Sequence, residues 1–430
     1  MKFGAFMCNV VLLAALAGMR ANAAPEAAWP PKSFPIGFWC GPPEPYITVE
    51  QYKRIAQAGF TMVLPPCEGA MTVALNRKIL DTARAAGLKA VIADSRMPLA
   101  ITGNAGAEEA IKAIVADYRK HPALLGYFIT DEPGANSFSG LAEVVAALRK
   151  YDPDHLAYIN LFPNYASTDR VAQPSQLNTL TYDEYLDKYL QIVKPAVLSW
   201  DHYHFLKDGD RPGFFGNLGS AQRAVGAQNP PLPFWQIVLS VQHGGYRALN
   251  ENELRFEAMQ TLAYGGQGLL YFTYWLPPSD ATFTWSHAIM NRDGTPGPLY
   301  EAVSQVNREV KELGKWLYGA RVLQTFQTGD VPADGRAQTN DVPITVNGPG
   351  NLTVGAFRGR DAYFYALVTN RDYKQAVKTT VQAHAGERAM IEILDLKTNR
   401  WRPATGEKNE GVTTLTLELG PAGAALVRWQ

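Results

Sequence analysis

The chain has 430 residues, 47% of them apolar and 19% charged, which is enough to bury a sizeable core and excludes wholesale disorder. Forty basic and forty acidic residues cancel. A nucleic-acid-binding chain would carry a basic surplus or stripe, so that class is set aside.

Read from the start, Lys2 precedes an apolar run over about 7–18 and then Ala21-Asn22-Ala23, a small-x-small cleavage signal. Residues 1–23 therefore read as an export leader, too short for the ~20 residues that span a bilayer. No later stretch is long and apolar enough to do so. The expected product is exported, periplasmic or secreted from a bacterium, with no membrane span. Cys8 precedes most of the apolar run instead of ending it, which disfavours a lipoprotein. Cys40 and Cys67 then remain as an even pair in an oxidising compartment, either a disulfide or two buried thiols.

Short β-rich runs follow at 36–40, 61–64, 90–94, 125–131, 157–161, 197–203, 234–241 and 268–275. Between them, 49–59, 76–87, 107–119 and 141–150 carry Ala-rich helical spacing, and Gly59 and Gly87 stand where helices end. Strands alternating with helices imply parallel βαβ units. The eight starts recur about every 33 residues, the size of one βα unit, and predict a (β/α)8 TIM barrel over 24–319. Cys40-Gly41-Pro42-Pro43 is no phosphate-binding turn, which disfavours a doubly wound sheet. A helix over 298–316 completes the set. From 320 to 430 the pattern changes to short alternating strands at 352–357, 362–369, 376–383, 390–396, 412–419 and 424–429, separated by turn residues such as Asn370-Arg371-Asp372. A small antiparallel β-sandwich is expected there.

In such barrels the active site lies at the C-terminal strand ends. Those ends carry Trp39 and Cys40, Glu68, Asp94 with Arg96, Asp131-Glu132-Pro133, Asn160, Asp201-His202-Tyr203-His204, Gln236 and Gln242, and Tyr274-Trp275. Acids, amides and Trp together make a polar cup with aromatic walls, and the flat faces of Trp and Tyr suit sugar rings as well as cores. His202 and His204 alternate along a strand and are poor joint metal ligands. No metal site or cofactor motif is visible.

The densest signal is Gly126-Tyr127-Phe128-Ile129-Thr130-Asp131-Glu132-Pro133. Pro133 disfavours the α region for Glu132 and predicts an extended residue at the strand end. Asp131 and Glu132 should point to opposite faces unless the strand bulges. Alone, the tripeptide also reads as an acidic helix-capping turn.

With Gly265-Gly266-Gln267-Gly268 leading into Tyr271-Phe272-Thr273-Tyr274-Trp275, and Asn291-Arg292-Asp293-Gly294 before the last helix, the chain over about 35–318 resembles the clan of (β/α)8-barrel glycoside hydrolases with Asn-Glu-Pro at the end of strand four. The final strand and helix, with Asn307 and Leu313, look like β-galactosidase-type barrels followed by a β-domain. The resemblance implies an oligo- or polysaccharide substrate, Glu132 as proton donor, and Asp131 in the position of the Asn that touches the sugar. Strand seven departs from the clan, since 234–242 holds no carboxylate where the nucleophilic Glu belongs. Glu251 and Glu253 fall at a helix start, where Asn250 and Glu253 form a capping box.

Glycoside hydrolysis by the common routes needs a second carboxylate. Asp201 is the choice, because period two puts Ser199, Asp201 and Tyr203 on one face; its alternative role is to orient His202 or a loop. Glu68 and Asp94 are weaker candidates, Asp94 being positioned to pair with Arg96. Trp39, Trp275 and Trp285 are the stacking candidates, and Asn160, Gln236, His204, Arg96, Tyr203 and Tyr274 the hydrogen-bonding ones. Two competing readings remain: a carbohydrate-binding barrel without catalysis, and a polysaccharide lyase or transglycosidase on the same fold.

Overall fold

The computed structural model describes residues 29–339 and 341–430. The leader assigned to 1–23 lies outside the described residues. The first unit alternates strand and helix: β1 (Ile36–Phe38), α1 (Val49–Gln57), β2 (Met62–Val63), α2 (Val73–Ala85), β3 (Lys89–Ala93), α3 (Ala107–Tyr118), β4 (Leu124–Asp131), α4 (Phe138–Tyr151), β5 (Leu156–Asn160), α5 (Tyr182–Ile192), β6 (Leu198–Asp201), α6 (Phe214–Gly226), β7 (Phe234–Leu239), α7 (Glu251–Ala263), β8 (Gly268–Phe272) and α8 (Tyr300–Leu317). A small hairpin, Phe205–Leu206 with Gly209–Asp210, follows β6.

All eight strands are parallel to their neighbours, in two sheets ordered β1-β8-β7-β6 and β2-β3-β4-β5. Backbone hydrogen bonds link the sheet edges. Thr61 N–H donates to the Ile36 carbonyl at 2.8 Å, and Leu161 N–H donates to the Ser199 carbonyl at 2.9 Å. Strand residues alternate between an inner cluster (Val91, Leu125, Tyr158, Val197, Trp235, Ile237) and the helix-facing core. Gly268 is small because an added Cβ would sit 2.4 Å from the Trp235 indole.

Helix starts follow the sequence chemistry. Thr48, Thr72 and Thr181 cap α1, α2 and α5, and Asn250 with Glu253 forms the capping box of α7. The last helix is tied to the first: Asn307 donates to the Ala58 carbonyl at 2.9 Å and accepts from the Tyr271 hydroxyl at 2.9 Å. Gly59, at φ +86°, lies where a Cβ would be 2.8 Å from Asn307, so glycine is required twice over.

The second unit holds β9 (Arg321–Gln327), β10 (Ile344–Val346), β11 (Leu352–Arg358), β12 (Phe364–Asn370), β13 (Val377–His384), β14 (Glu392–Asp395), β15 (Arg400–Pro403), β16 (Gly406–Asn409), β17 (Val412–Leu419) and β18 (Ala424–Trp429). They form two antiparallel sheets, β9-β11-β12-β18-β14-β15 and β10-β13-β17-β16. Phe326, Leu352, Val368, Val381, Leu415 and Trp429 contribute to the core of this unit. The larger sheet packs on α7. Gln260 donates to Thr369 Oγ1 at 3.0 Å, Thr325 Oγ1 to the Ala263 carbonyl at 3.1 Å, and Gly355 leaves room for that same carbonyl.

Candidate active site

A cleft of about 230 Å³ opens at the C-terminal strand ends. Asp131, Glu132, Asn160 and Asp201 line one part of it, and Trp39, Tyr203, His243, Phe272, Phe283 and Trp285 supply aromatic walls. The end of β4 is irregular: its pairing with β5 slips between Phe128 and Thr130. Glu132 is not extended as the Pro133 argument predicts but has φ +45°, a left-handed conformation uncommon for a side chain of this kind. The slip and the reversed φ turn Asp131 and Glu132 into the same cleft, where a regular strand would have separated them. Such strain, of order 1–3 kcal/mol, concentrates at functional sites.

On β6, Ser199, Asp201 and the following Tyr203 point inward, and Trp200 and Leu198 join the helix-facing core. Asn160, at the end of β5, organises the carboxylates. Its Nδ2 donates to Asp131 Oδ1 at 3.1 Å and to Asp201 Oδ1 at 3.0 Å, and its Oδ1 accepts from Ser199 Oγ at 3.1 Å. Asp201 and Glu132 are hydrogen bonded carboxyl to carboxyl.

Burial pushes the Asp201 carboxyl well above the usual range, repulsion from Glu132 and Asp131 adds to this, and the Asn160 donor opposes it. Burial likewise raises Glu132, to about 7, again with repulsion from Asp131, while the Asp201 contact opposes the rise. Loss of hydration raises Asp131 to about 6, with the Asn160 side chain and the Glu132 backbone bond opposing. Its side chain is exposed at the rim, so solvent screens part of that effect. Two groups that bond each other while both resist ionisation share a proton as a pair. Asp201 is the more buried partner of that pair.

Of the sequence-derived candidates, Trp39, Asp131, Glu132, Asn160, Asp201, Tyr203 and Trp285 come together here. The others lie elsewhere, for reasons of strand period and strand length. Gln236 sits between the inward Trp235 and Ile237, so it faces α7 and accepts from Thr261 Oγ1 at 2.5 Å. β3 ends at Ala93, and Asp94 turns out to the Tyr118 hydroxyl at 2.7 Å and to Arg96 in a bidentate pair at 2.8–2.9 Å. β8 ends at Phe272 instead of continuing to 275. Phe272 therefore takes the cleft position, Tyr274 stacks on Phe38 at 4.3 Å, and Trp275 packs on Tyr46 at 4.8 Å. Glu68 is half-buried and paired with Arg292 at 2.9 Å.

β6 ends at Asp201, and beyond it His202 and His204 both lie against Phe214, at 5.4 and 4.8 Å. His204 bonds the Arg211 carbonyl, outside the cleft lining. Burial holds both rings neutral, lowering His202 to about 3 and His204 to about 4. Among the described residues no group of three or more His, Cys, Asp or Glu could hold a metal ion.

Cys40 and Cys67 form a disulfide that ties the end of β1, next to Trp39, to the loop after β2. His243, Phe272 and Phe283 are cleft residues that the sequence reading did not single out as such. His243 follows Gln242 just past the end of β7, where its place after a strand end was the available signal.

The fold now has counterparts. A protein described as a glycoside hydrolase is 14% identical over 92% of each chain, with a TM-score of 0.56. A glycoside hydrolase family 5 protein from Bacteroides vulgatus is 14% identical over 92% of this chain and 88% of its own, at a TM-score of 0.57. A catalytic mutant of a GH42 β-galactosidase from G. stearothermophilus is 10% identical over 92% and 98%, also at 0.57. By fold the chain thus resembles the (β/α)8-barrel glycoside hydrolases of the GH-A clan. No protein-family profile matches the chain, and no curated protein matches it.

Proposed function

We propose that this cleft hydrolyses O-glycosidic bonds of an oligo- or polysaccharide, in an exported protein whose two parallel sheets form one closed (β/α)8 barrel and which uses no cofactor. The observation that carries the reading is the Glu132–Asp201 carboxyl pair in an aromatic-walled cleft at the strand ends. Glycoside cleavage needs one carboxylic acid to protonate the departing oxygen and one carboxylate to attack the anomeric carbon or activate water. A pair that shares a single proton near neutral pH holds both forms at once. With the proton moved to Glu132, Asp201 is left as the carboxylate beneath the ring, held by Asn160.

The contact between the two is shorter than the ~5–5.5 Å of retaining or the ~6.5–9.5 Å of inverting enzymes. Asp201 is buried and pinned, whereas Glu132 is only half-buried on a longer stem. An entering ring must therefore swing Glu132 outward. Glu132→Gln, with the fold retained, should lower turnover of a glycan panel by about 10²–10⁴-fold, the usual contribution of a positioned acid. Wild-type rates in that variant would end the proposal, and NMR of the first-formed anomer reports retention or inversion.

One observation favours a second reading: the end of β7 carries no carboxylate, Ser240, Val241 and Gln242 standing there. Binding without release of reducing ends would make the protein a carbohydrate-binding barrel. Unsaturated products would make it a lyase, and longer oligomers a transglycosidase.

A further inference from the structure

The cleft has an unbalanced charge. Three carboxyl groups face it, and no Lys or Arg is among its lining residues. Its sole basic side chain, His243, is stacked at 4.3 Å on Trp285, and burial lowers its affinity for a proton. Arg211 is engaged outside the lining: its guanidinium lies 4.0 Å from the Tyr165 ring and donates to the Tyr246 hydroxyl at 3.0 Å and the Tyr203 carbonyl at 3.1 Å. The other titratable groups near Asp201 and Glu132 are the phenols of Tyr158, Tyr165, Tyr182, Tyr185 and Tyr203, all kept neutral by burial. Carboxylates at a partly buried site are ordinarily matched by a positive partner. Here the protein supplies none.

The remaining walls fit a cation. Tyr203 and Phe272 stack at 5.7 Å, with Trp285 at 6.1 Å from Phe272. Aromatic faces beside carboxylates attract an ammonium group through the ring quadrupole. At about 230 Å³ the cleft is smaller than the ~300–1,000 Å³ of sites for larger ligands, which suits one ring.

We propose that the ring held beside Glu132 carries a free ammonium group, so that the cleft selects an amino sugar over neutral sugars and against uronates. This deepens the glycosidase reading and rests on the cleft being the sugar site. An ammonium supplies the missing counter-charge and lets the carboxyl cluster ionise, so its binding releases protons. A uronate brings a further carboxylate into the same space, supplies no counter-charge and is repelled.

The test is calorimetric titration of the full chain at pH 6, in two buffers of different ionisation enthalpy. The probes are glucose, glucosamine and glucuronate, then the corresponding galactose and mannose series. Such monosaccharides bind without being cleaved. In at least one series the amine should bind tenfold tighter than the neutral sugar, or ~1.4 kcal/mol, with proton release, and the uronate should bind weakest. Asp131→Asn should shrink the amine's advantage more than it weakens the neutral sugar. Equal or weaker binding of the amine in every series, no detectable amine binding, or binding without proton release overturns the inference. Turnover assays separate the two claims. Hydrolysis of neutral glycans without amine preference sinks only this inference, and amine preference without hydrolysis sinks only the glycosidase reading.

Discussion

Replacing Asp201 by Asn should stabilise the folded protein at pH 8 while removing its turnover. In the folded state Asp131, Glu132 and Asp201 all hold protons more tightly than ordinary carboxyls do. The unfolded chain releases those protons near pH 4. Over the interval where the native state binds more protons, stability falls as pH rises. The cost of the cluster therefore starts near pH 4 and grows through the folded values of about 6 for Asp131 and about 7 for Glu132. Asp201→Asn deletes its own share and part of the repulsion on its neighbours. The amide oxygen can still accept from Asn160, and the amide N–H can donate to Glu132, so the hydrogen bonds survive. One pKa unit is worth 1.36 kcal/mol, and the size of the Glu132 shift puts the gain at about 1–3 kcal/mol at pH 8 and near zero at pH 4. Urea unfolding of both proteins across that range measures it. A variant that is less stable at pH 8, or whose difference does not change with pH, would refute the reasoning.

Two further outcomes are expected. Asn160→Ala removes the donor that favours the ionised forms of Asp131 and Asp201, so the acid limb of kcat/KM should move to higher pH. A charge-assisted bond of about 1.5 kcal/mol corresponds to roughly one unit, read from a pH–rate profile. Cys67→Ser opens a loop of 27 residues and should cost about 3 kcal/mol in denaturant unfolding. Because Trp39 adjoins the disulfide, sugar binding should weaken more than the chemical step; an unchanged KM would count against that link.

Much of the strand and helix order was legible because the β-rich runs and Ala-rich helices repeat at one interval, Gly59 and Gly87 stand where helices end, and Asn250 with Glu253 marks a helix start. Asp131, Glu132, Asn160 and Asp201 were legible as polar residues at strand ends, where a packed interior has no other use for them. What escaped were the places where a strand stops. Val197–Tyr203 and Gly268–Trp275 read as continuous runs, yet β6 stops at Asp201 and β8 at Phe272. Differences of two residues at β6 and three at β8 leave His204, Tyr274 and Trp275 away from the cleft and bring Phe272 into it. Gln236 was separable from its neighbours by period alone, since Trp235 and Ile237 must share a face. The φ of Glu132 had no local signal, because Pro133 argues for the opposite. The close approach of the two carboxyls depends on a β4 slip that no residue pattern announces.

α7 has almost no exposed face: ten of its thirteen residues are buried, Glu253, Glu257, Gln260 and Thr261 among them. That is unlike an ordinary surface helix, which keeps one side in water. The parallel strands take one side and β11 and β12 the other. Its outer side, Gln260 included, is thus covered by chain made about a hundred residues later, and a truncated product ending near 320 would leave that side open to solvent. The C-terminal sheets are therefore no detachable appendage. They complete the wall of the very unit that carries the cleft, and the ribosome must finish both before either is sealed.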